Sequence, residues 1–322
     1  MKTRIGLLIE LENGRVKPAN MEMIAMAQSD TAECHAIVVD DGIEQIKSHL
    51  ESYGVERIIH IDLASGKQKN PVLLADVMTR VIKKFRFEYL FGLSTAWGKD
   101  ILPRIAADME APLIMDCTTV DTRDSTAVTS QYSGKTMATF RVKGPVKVFG
   151  IRPNMRDSIK RQVSAQVDVW NEPVQESQIF TVISTGESEK ESAQSLVEAD
   201  VILAGGRGMK QPENFSILKE CAGYLNAAVG SSRVPVDSGW VPYAMQVGQT
   251  GEKVSPRVYI ACGISGSVQH FAGMKSAGMI IAVNPDENAP IMANCDYFVK
   301  ADAIEIIPEI TRILKDGTPP GK

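Results

Sequence analysis

Apolar positions in the first hundred residues fall into short continuous runs, separated by longer stretches of helical period. Residues 5–9, 36–39 and 89–92 are apolar runs of four or five and 57–61 (Arg-Ile-Ile-His-Ile) is mostly apolar; all four are expected to be buried strands. Residues 43–53, 71–85 and 99–109 space their apolar positions three and four apart and are expected to be helices. Pro71 directly after Asn70 fits a capped helix start. This alternation predicts a parallel sheet. After Leu113 the rhythm changes. Residues 126–130, 135–140 and 146–151 read as antiparallel strands, joined by turns such as Ser133-Gly134. Residues 154–199 are polar apart from an apolar island at 179–183, and residues 186–192 are expected to be a hinge. The alternation resumes with apolar residues 201–204, and further strands are expected at 259–262, 279–283 and 296–299.

The expected class is therefore α/β with two domains. Residues 1–188 form an α/β domain with a mostly parallel sheet and an antiparallel addition. Residues 189–322 form a doubly wound domain. A length of 322 residues, 44% of them hydrophobic and 23% charged, supports two buried cores. A net charge of −4 gives no attraction to nucleic acid or to an anionic membrane, and no apolar run approaches the roughly 20 residues of a bilayer span. The first apolar run starts at Ile5, so no signal or transit peptide is expected and a bacterial cytoplasm is the expected location. The five cysteines and four histidines are scattered, with no metal-ligand spacing. Nucleophile-elbow, Walker and paired-carboxylate motifs are lacking.

The chemistry concentrates after residue 204. Tyr259-Ile260-Ala261-Cys262 breaks into Gly263-Ile264-Ser265-Gly266-Ser267 and continues helix-compatible through Val268, Gln269 and His270. A buried strand that ends in a glycine turn and opens a helix suits an anion, with backbone N–H groups facing it. A nucleotide cofactor is the physical reading. Arg207, in the turn after Gly205-Gly206, suits a pyrophosphate or ribose oxygen, and a solvated turn arginine fits equally well. Gln249-Thr250 lies between Gly248 and Gly251, either beside a ligand ring or as a hairpin turn in which Thr250 satisfies its own backbone. His270 is either a packed core histidine or a titratable neighbour of the ligand. Trp240 is expected to fill a packing gap. Residues 93–100 read as a strand-to-helix turn and a possible second nucleotide site, taken as structural or as partner surface.

The ordered set Gly205-Gly206-Arg207-Gly208, Val229-Gly230-Ser231-Ser232-Arg233, Val236-Asp237-Ser238-Gly239-Trp240-Val241-Pro242, Gln246-Val247-Gly248-Gln249-Thr250-Gly251, Gly263 to His270, and Ala282-Val283-Asn284 resembles the electron-transfer flavoprotein α subunit. The resemblance covers essentially the whole chain and is strongest over residues 204–308. It implies a Rossmann-like C-terminal domain that binds FAD noncovalently through Arg207, Ser232, Arg233, Val247, Gly248, Gln249, Thr250, Ser265, Gly266, Ser267, Val268, Gln269, His270, Asn284 and Asp302. Ser232 would meet the phosphates, Arg233 the flavin ring, Thr250 flavin N5 and His270 flavin C2=O. Asn284 and Asp302 would meet the adenosine end. The resemblance further implies a heterodimer with a β subunit that holds AMP or a second FAD. It implies a redox carrier without its own organic substrate, taking electrons from dehydrogenases such as acyl-CoA dehydrogenases and passing them to a membrane quinone reductase. The alternative is a subunit of an electron-bifurcating, NADH-oxidising complex. An NAD-binding module is a third reading.

Overall fold

The computed structural model describes residues 2–39, 42–63, 70–132, 136–170 and 195–316. The expected hinge at 186–192, the apolar island at 179–183 and the Ser133-Gly134 turn lie outside the described residues. The chain divides into two compact units, one of residues 1–130 with 137–187 and one of residues 188–322 with 131–136.

In chain order the N-terminal elements are β1 (Thr3–Leu8), the short hairpin β2 (Leu11–Glu12) and β3 (Arg15–Val16), α1 (Ala19–Ala27), β4 (Ala32–Val39), α2 (Glu44–Glu51), β5 (Arg57–Ile61), α3 (Pro71–Phe85), β6 (Tyr89–Leu93), α4 (Ala96–Asp108), β7 (Leu113–Asp121), β8 (Thr126–Gln131), β9 (Thr136–Arg141), β10 (Lys147–Ile151) and β11 (Gln166–Trp170). They build a sheet in the order β11-β5-β4-β1-β6-β10-β7-β8-β9. Neighbours from β11 to β7 pair in parallel, and β8 runs antiparallel to β7. Asn70 caps α3 by accepting from the Val72 and Leu73 amides, with Pro71 at the first helical position.

The strand expected at 146–151 as antiparallel is instead β10, parallel to both β6 and β7. Val148, Phe149, Gly150 and Ile151 are all buried, and a strand buried on both faces belongs in the middle of a parallel sheet. β7 makes this possible. Its first half pairs with β10 and its second half with β8, with irregular register near Cys117. Five elements of this unit escape the sequence pattern: β2, β3, α1, β7 and β11. Helix α1 is buried nearly all round, so it lacks an amphipathic stripe. β11 is a polar edge strand paired to β5.

The chain leaves β1 towards β4 on one side and returns to β6 on the other, which places a topological switch point beyond the C-terminal end of β1. Open α/β sheets bind ligands in such crevices. Here the protein fills it. The Glu10 side chain, 3% exposed, accepts from the Thr95 hydroxyl and pairs with Lys17 at 3.2 Å. Thr95 in turn caps α4 by accepting from the Gly98 amide at 3.1 Å. Asn20 holds the Glu10 backbone on both sides, at 3.0 and 2.9 Å. Thr95 thus ties the turn at 93–100 into the fold.

The second unit contains β12 (Val201–Gly205), α5 (Phe215–Leu225), β13 (Ala228–Ser231), α6 (Arg233–Asp237), β14 (Val258–Cys262), α7 (Val268–Met274), β15 (Met279–Val283), β16 (Tyr297–Val299) and α8 (Ala303–Asp316). Its sheet is parallel throughout, in the order β13-β12-β14-β15-β16. Successive β12 residues feed opposite cores. Ile202 and Ala204 pack with Tyr259, Met274 and Ile280, whereas Leu203 packs with Phe215, Leu218 and Ile307. Both faces are therefore covered, as a doubly wound sheet requires. Its strand order reverses between β12 and β14.

Candidate functional site

Beyond the ends of β12 and β14, at that reversal, the second unit opens a cavity of about 630 Å³, inside the roughly 300–1,000 Å³ range of small-molecule sites. Glycine contacts shape its floor. The Gly208 amide donates to the Gly263 carbonyl at 3.0 Å, and a Cβ on either residue would come within 2.7 Å of the other's Cα. Gly263 also has φ +61°. On the opposite wall a Cβ on Gly273 would lie 2.4 Å from the Gly248 nitrogen. The glycines that suggest approach to a phosphate are thus also demanded by contact between the protein's own loops.

The cavity gathers Arg207, Ser232, Arg233, Val247, Gly248, Gln249, Thr250, Ser265, Gly266, Ser267, Gln269, His270 and Asn284. Val268 and Asp302 do not line it. Val268 is exposed. Asp302 pairs with Lys210 at 2.6 Å, and that hydrogen bond holds its carboxyl below the usual range. Ser232 starts α6 without a side-chain capping bond, which leaves its hydroxyl for another partner. Ser267 caps α7, accepting from the His270 amide at 3.4 Å. Asn284 spends both ends of its amide within the protein, donating to the Ile264 carbonyl and accepting from the Asp286 amide, each at 3.0 Å.

Arg233 is exposed and pairs with Asp237 one turn along α6, at 3.0 Å. Such a pair is worth about 0.3–0.5 kcal/mol, so a better anion displaces it at little cost. Trp240 packs against the α5–α8 core, as expected. Thr250 accepts from the Gln246 amide at 2.9 Å through its hydroxyl and from the Tyr243 hydroxyl through its carbonyl. Gln246, Asp286 and Ala289 also line the cavity; Gln246 opens the Gln246–Gly251 motif without being singled out as a site residue, and the other two escape the sequence reading. Asp286 had a signal, since Asn284-Pro285-Asp286 follows a buried strand and forms an Asx turn.

His270 is 5% exposed, with Nε2 3.1 Å from the Tyr259 hydroxyl and Nδ1 buried without a well-formed hydrogen bond. Burial pushes its pKa down to about 4, against a smaller favourable contribution from the Val247 backbone. In this form the ring is neutral, so the positive partner that a protonated imidazole would supply is not present at neutral pH. The shift makes stability depend on pH. The unfolded histidine takes up its proton near pH 6.5 and the folded one only near pH 4. Stability is full above about pH 6.5 and falls by on the order of 3 kcal/mol as pH drops through that window. Urea unfolding monitored between pH 7 and 4 checks this. His270→Gln is expected to flatten the profile, and an unchanged slope would refute it.

The sequence that builds this unit is similar to those of known proteins. Residues 195–275 match the electron transfer flavoprotein FAD-binding domain, and residues 5–175 match the electron transfer flavoprotein domain. The first span holds every cavity residue from Arg207 to His270 and ends before Asn284. The electron transfer flavoprotein subunit alpha of Bacillus subtilis is 32% identical, over 98% of this chain and 98% of its own. That of Thermoanaerobacterium thermosaccharolyticum is 32% identical over 97% of each chain, and that of Pseudomonas aeruginosa 33% identical over 96% of this chain and 99% of its own.

Proposed function

The chain belongs to the electron transfer flavoprotein α-subunit family, and from that premise we propose that its second unit holds one noncovalent FAD and makes all of this chain's contacts to it. One observation carries the reading: a cavity of about 630 Å³ at the reversal of the second sheet, within the stretch that matches the FAD-binding domain. Its donors suit an anionic dinucleotide. Arg207, Ser232 and Ser265 would hold the pyrophosphate, with the dipole-bearing turn before α7 behind them. Asn284 would face the adenosine end. Arg233 and Thr250 would face the isoalloxazine ring, Arg233 giving up Asp237 to do so. When bound, FAD supplies the ability to take up and release electrons singly or in pairs. The chain's residues bind and orient it, exclude water from one side, and set the charge around it.

The chain is an electron carrier in this reading. It pairs with a β subunit that closes the other side of the flavin site and holds AMP. It receives electrons from dehydrogenases such as those acting on acyl-CoA and delivers them to a membrane quinone reductase. Among the described residues no helix is long and apolar enough to cross a membrane, so contact with that acceptor would be through a protein surface. Co-expression with the β subunit tests the proposal. The purified pair is expected to be yellow, with one FAD and one AMP, and this chain alone is expected to bind FAD weakly. A stable colourless pair that takes up no added FAD would overturn it.

A further inference from the structure

The loop that carries Thr250 is built around a residue with no place in the reading above. Gln246 is 3% exposed. Its backbone is fixed on both sides, donating to the Tyr243 carbonyl at 2.9 Å and accepting from the Glu252 amide at 2.7 Å. The loop doubles back so tightly that a Cβ on Gly251 would lie 2.2 Å from the Gln246 carbonyl oxygen. The buried Gln246 side chain therefore has little freedom to turn away. Its Nε2 donates to the Thr250 Oγ1 at 2.9 Å.

An amide NH₂ is a donor only, whereas a hydroxyl has one hydrogen and two lone pairs. With Gln246 supplying a donor, the Thr250 oxygen is the acceptor, and its own hydrogen must point elsewhere. Thr250 is exposed, so that hydrogen is open to solvent and to whatever enters the cavity, which both residues line. The Tyr243 hydroxyl fixes the other end of Thr250 by donating to its carbonyl.

We propose that Gln246 is a positioning residue that sets the polarity of Thr250, making its hydroxyl a hydrogen-bond donor towards the ligand in the cavity. The inference rests on the FAD reading. A donating hydroxyl matches a ring nitrogen that carries a lone pair, as in oxidised flavin. It is mismatched to the same nitrogen once that atom carries hydrogen. Gln246 thus biases the site towards oxidised FAD without touching it. Removing the amide frees the hydroxyl to rotate and accept.

The test uses the complete complex with its partner subunit and compares the two-electron potentials of bound and free FAD, which give the ratio of affinities for reduced and oxidised FAD. Gln246→Met is expected to raise that ratio about tenfold, the worth of one reversed hydrogen bond. In a Thr250→Val background the same substitution is expected to change nothing further. A residue that merely braces the loop would weaken both affinities together and leave the ratio alone. An unchanged ratio in a Gln246→Met complex that still binds FAD overturns the proposal, as does an effect that persists without Thr250. If Gln246→Met does not fold, Thr250→Val is expected to raise the ratio and Thr250→Ser to keep it; any other pattern also overturns the proposal. Failure of the unaltered complex to bind FAD counts against the FAD reading instead.

Discussion

Gly263→Ala is expected to abolish FAD retention while leaving the first unit folded. The added Cβ would sit 2.7 Å from the Gly208 Cα and 2.9 Å from its carbonyl carbon. Neither is the tip of a flexible side chain, so the turn after β12 has to move. The φ of +61° adds the left-handed penalty for an L-residue. Overpacking and backbone strain together cost about 2–4 kcal/mol. Charged to the ligand-bound form, that weakens FAD by roughly thirtyfold to a thousandfold. Gly223→Ala is the matched control. Gly223 lies inside α5 with nothing within 4 Å of its missing Cβ, and the change is expected to stabilise the unit by about 0.5–1 kcal/mol. Equilibrium dialysis of FAD against both variants gives the comparison. Equal retention by the two would mean that the contact between the β12 and β14 turns does not shape the site.

The second large effect is on potential. Arg233→Ala is expected to leave FAD bound but make it harder to reduce, because a fixed cation favours the extra negative charge of the reduced ring. A unit charge about 4 Å away at an effective dielectric of about 20 is worth ~4 kcal/mol before desolvation. The exposure of Arg233 reduces that several-fold, which leaves a fall on the order of tens of millivolts. Arg233→Lys is expected to fall between, since it keeps the charge and loses the planar fork. Asp237→Asn moves the other way, because Asp237 competes for the same guanidinium at 3.0 Å. Redox titration of the four proteins decides it. Identical potentials would place Arg233 away from the flavin.

Much of this architecture was legible in the chain because burial on both faces leaves a continuous apolar mark. The strand at 57–61 and the helix at 71–85 match β5 and α3 end to end. The direction of β10 was not legible. An apolar run records burial, whereas direction is decided by which neighbours remain unpaired after β7 bends from one partner to another. α1 left no stripe because it is buried nearly all round. In the site, glycine turns announced the loops, since close backbone approach admits no other residue. Gln246 stood at the head of its motif but not among the site residues, because its role comes from a hydrogen bond to a residue four positions on, which only the folded loop shows. His270 was found for its place in the helix, but its neutrality comes from burial beneath Tyr259, which only the folded chain shows.

The carboxylate of Glu10 at the switch point of the first sheet carries a consequence for how the two units depend on supply. An anion built into the chain has no dissociation constant and is never diluted. The first unit's stability is therefore indifferent to metabolite levels. The second unit, whose crevice is left open for a ligand, gains RT ln(1 + [L]/Kd), about 2.7 kcal/mol when the ligand stands at a hundred times its dissociation constant. On the FAD reading, a shortage of flavin is expected to weaken the second unit and leave the first as it was.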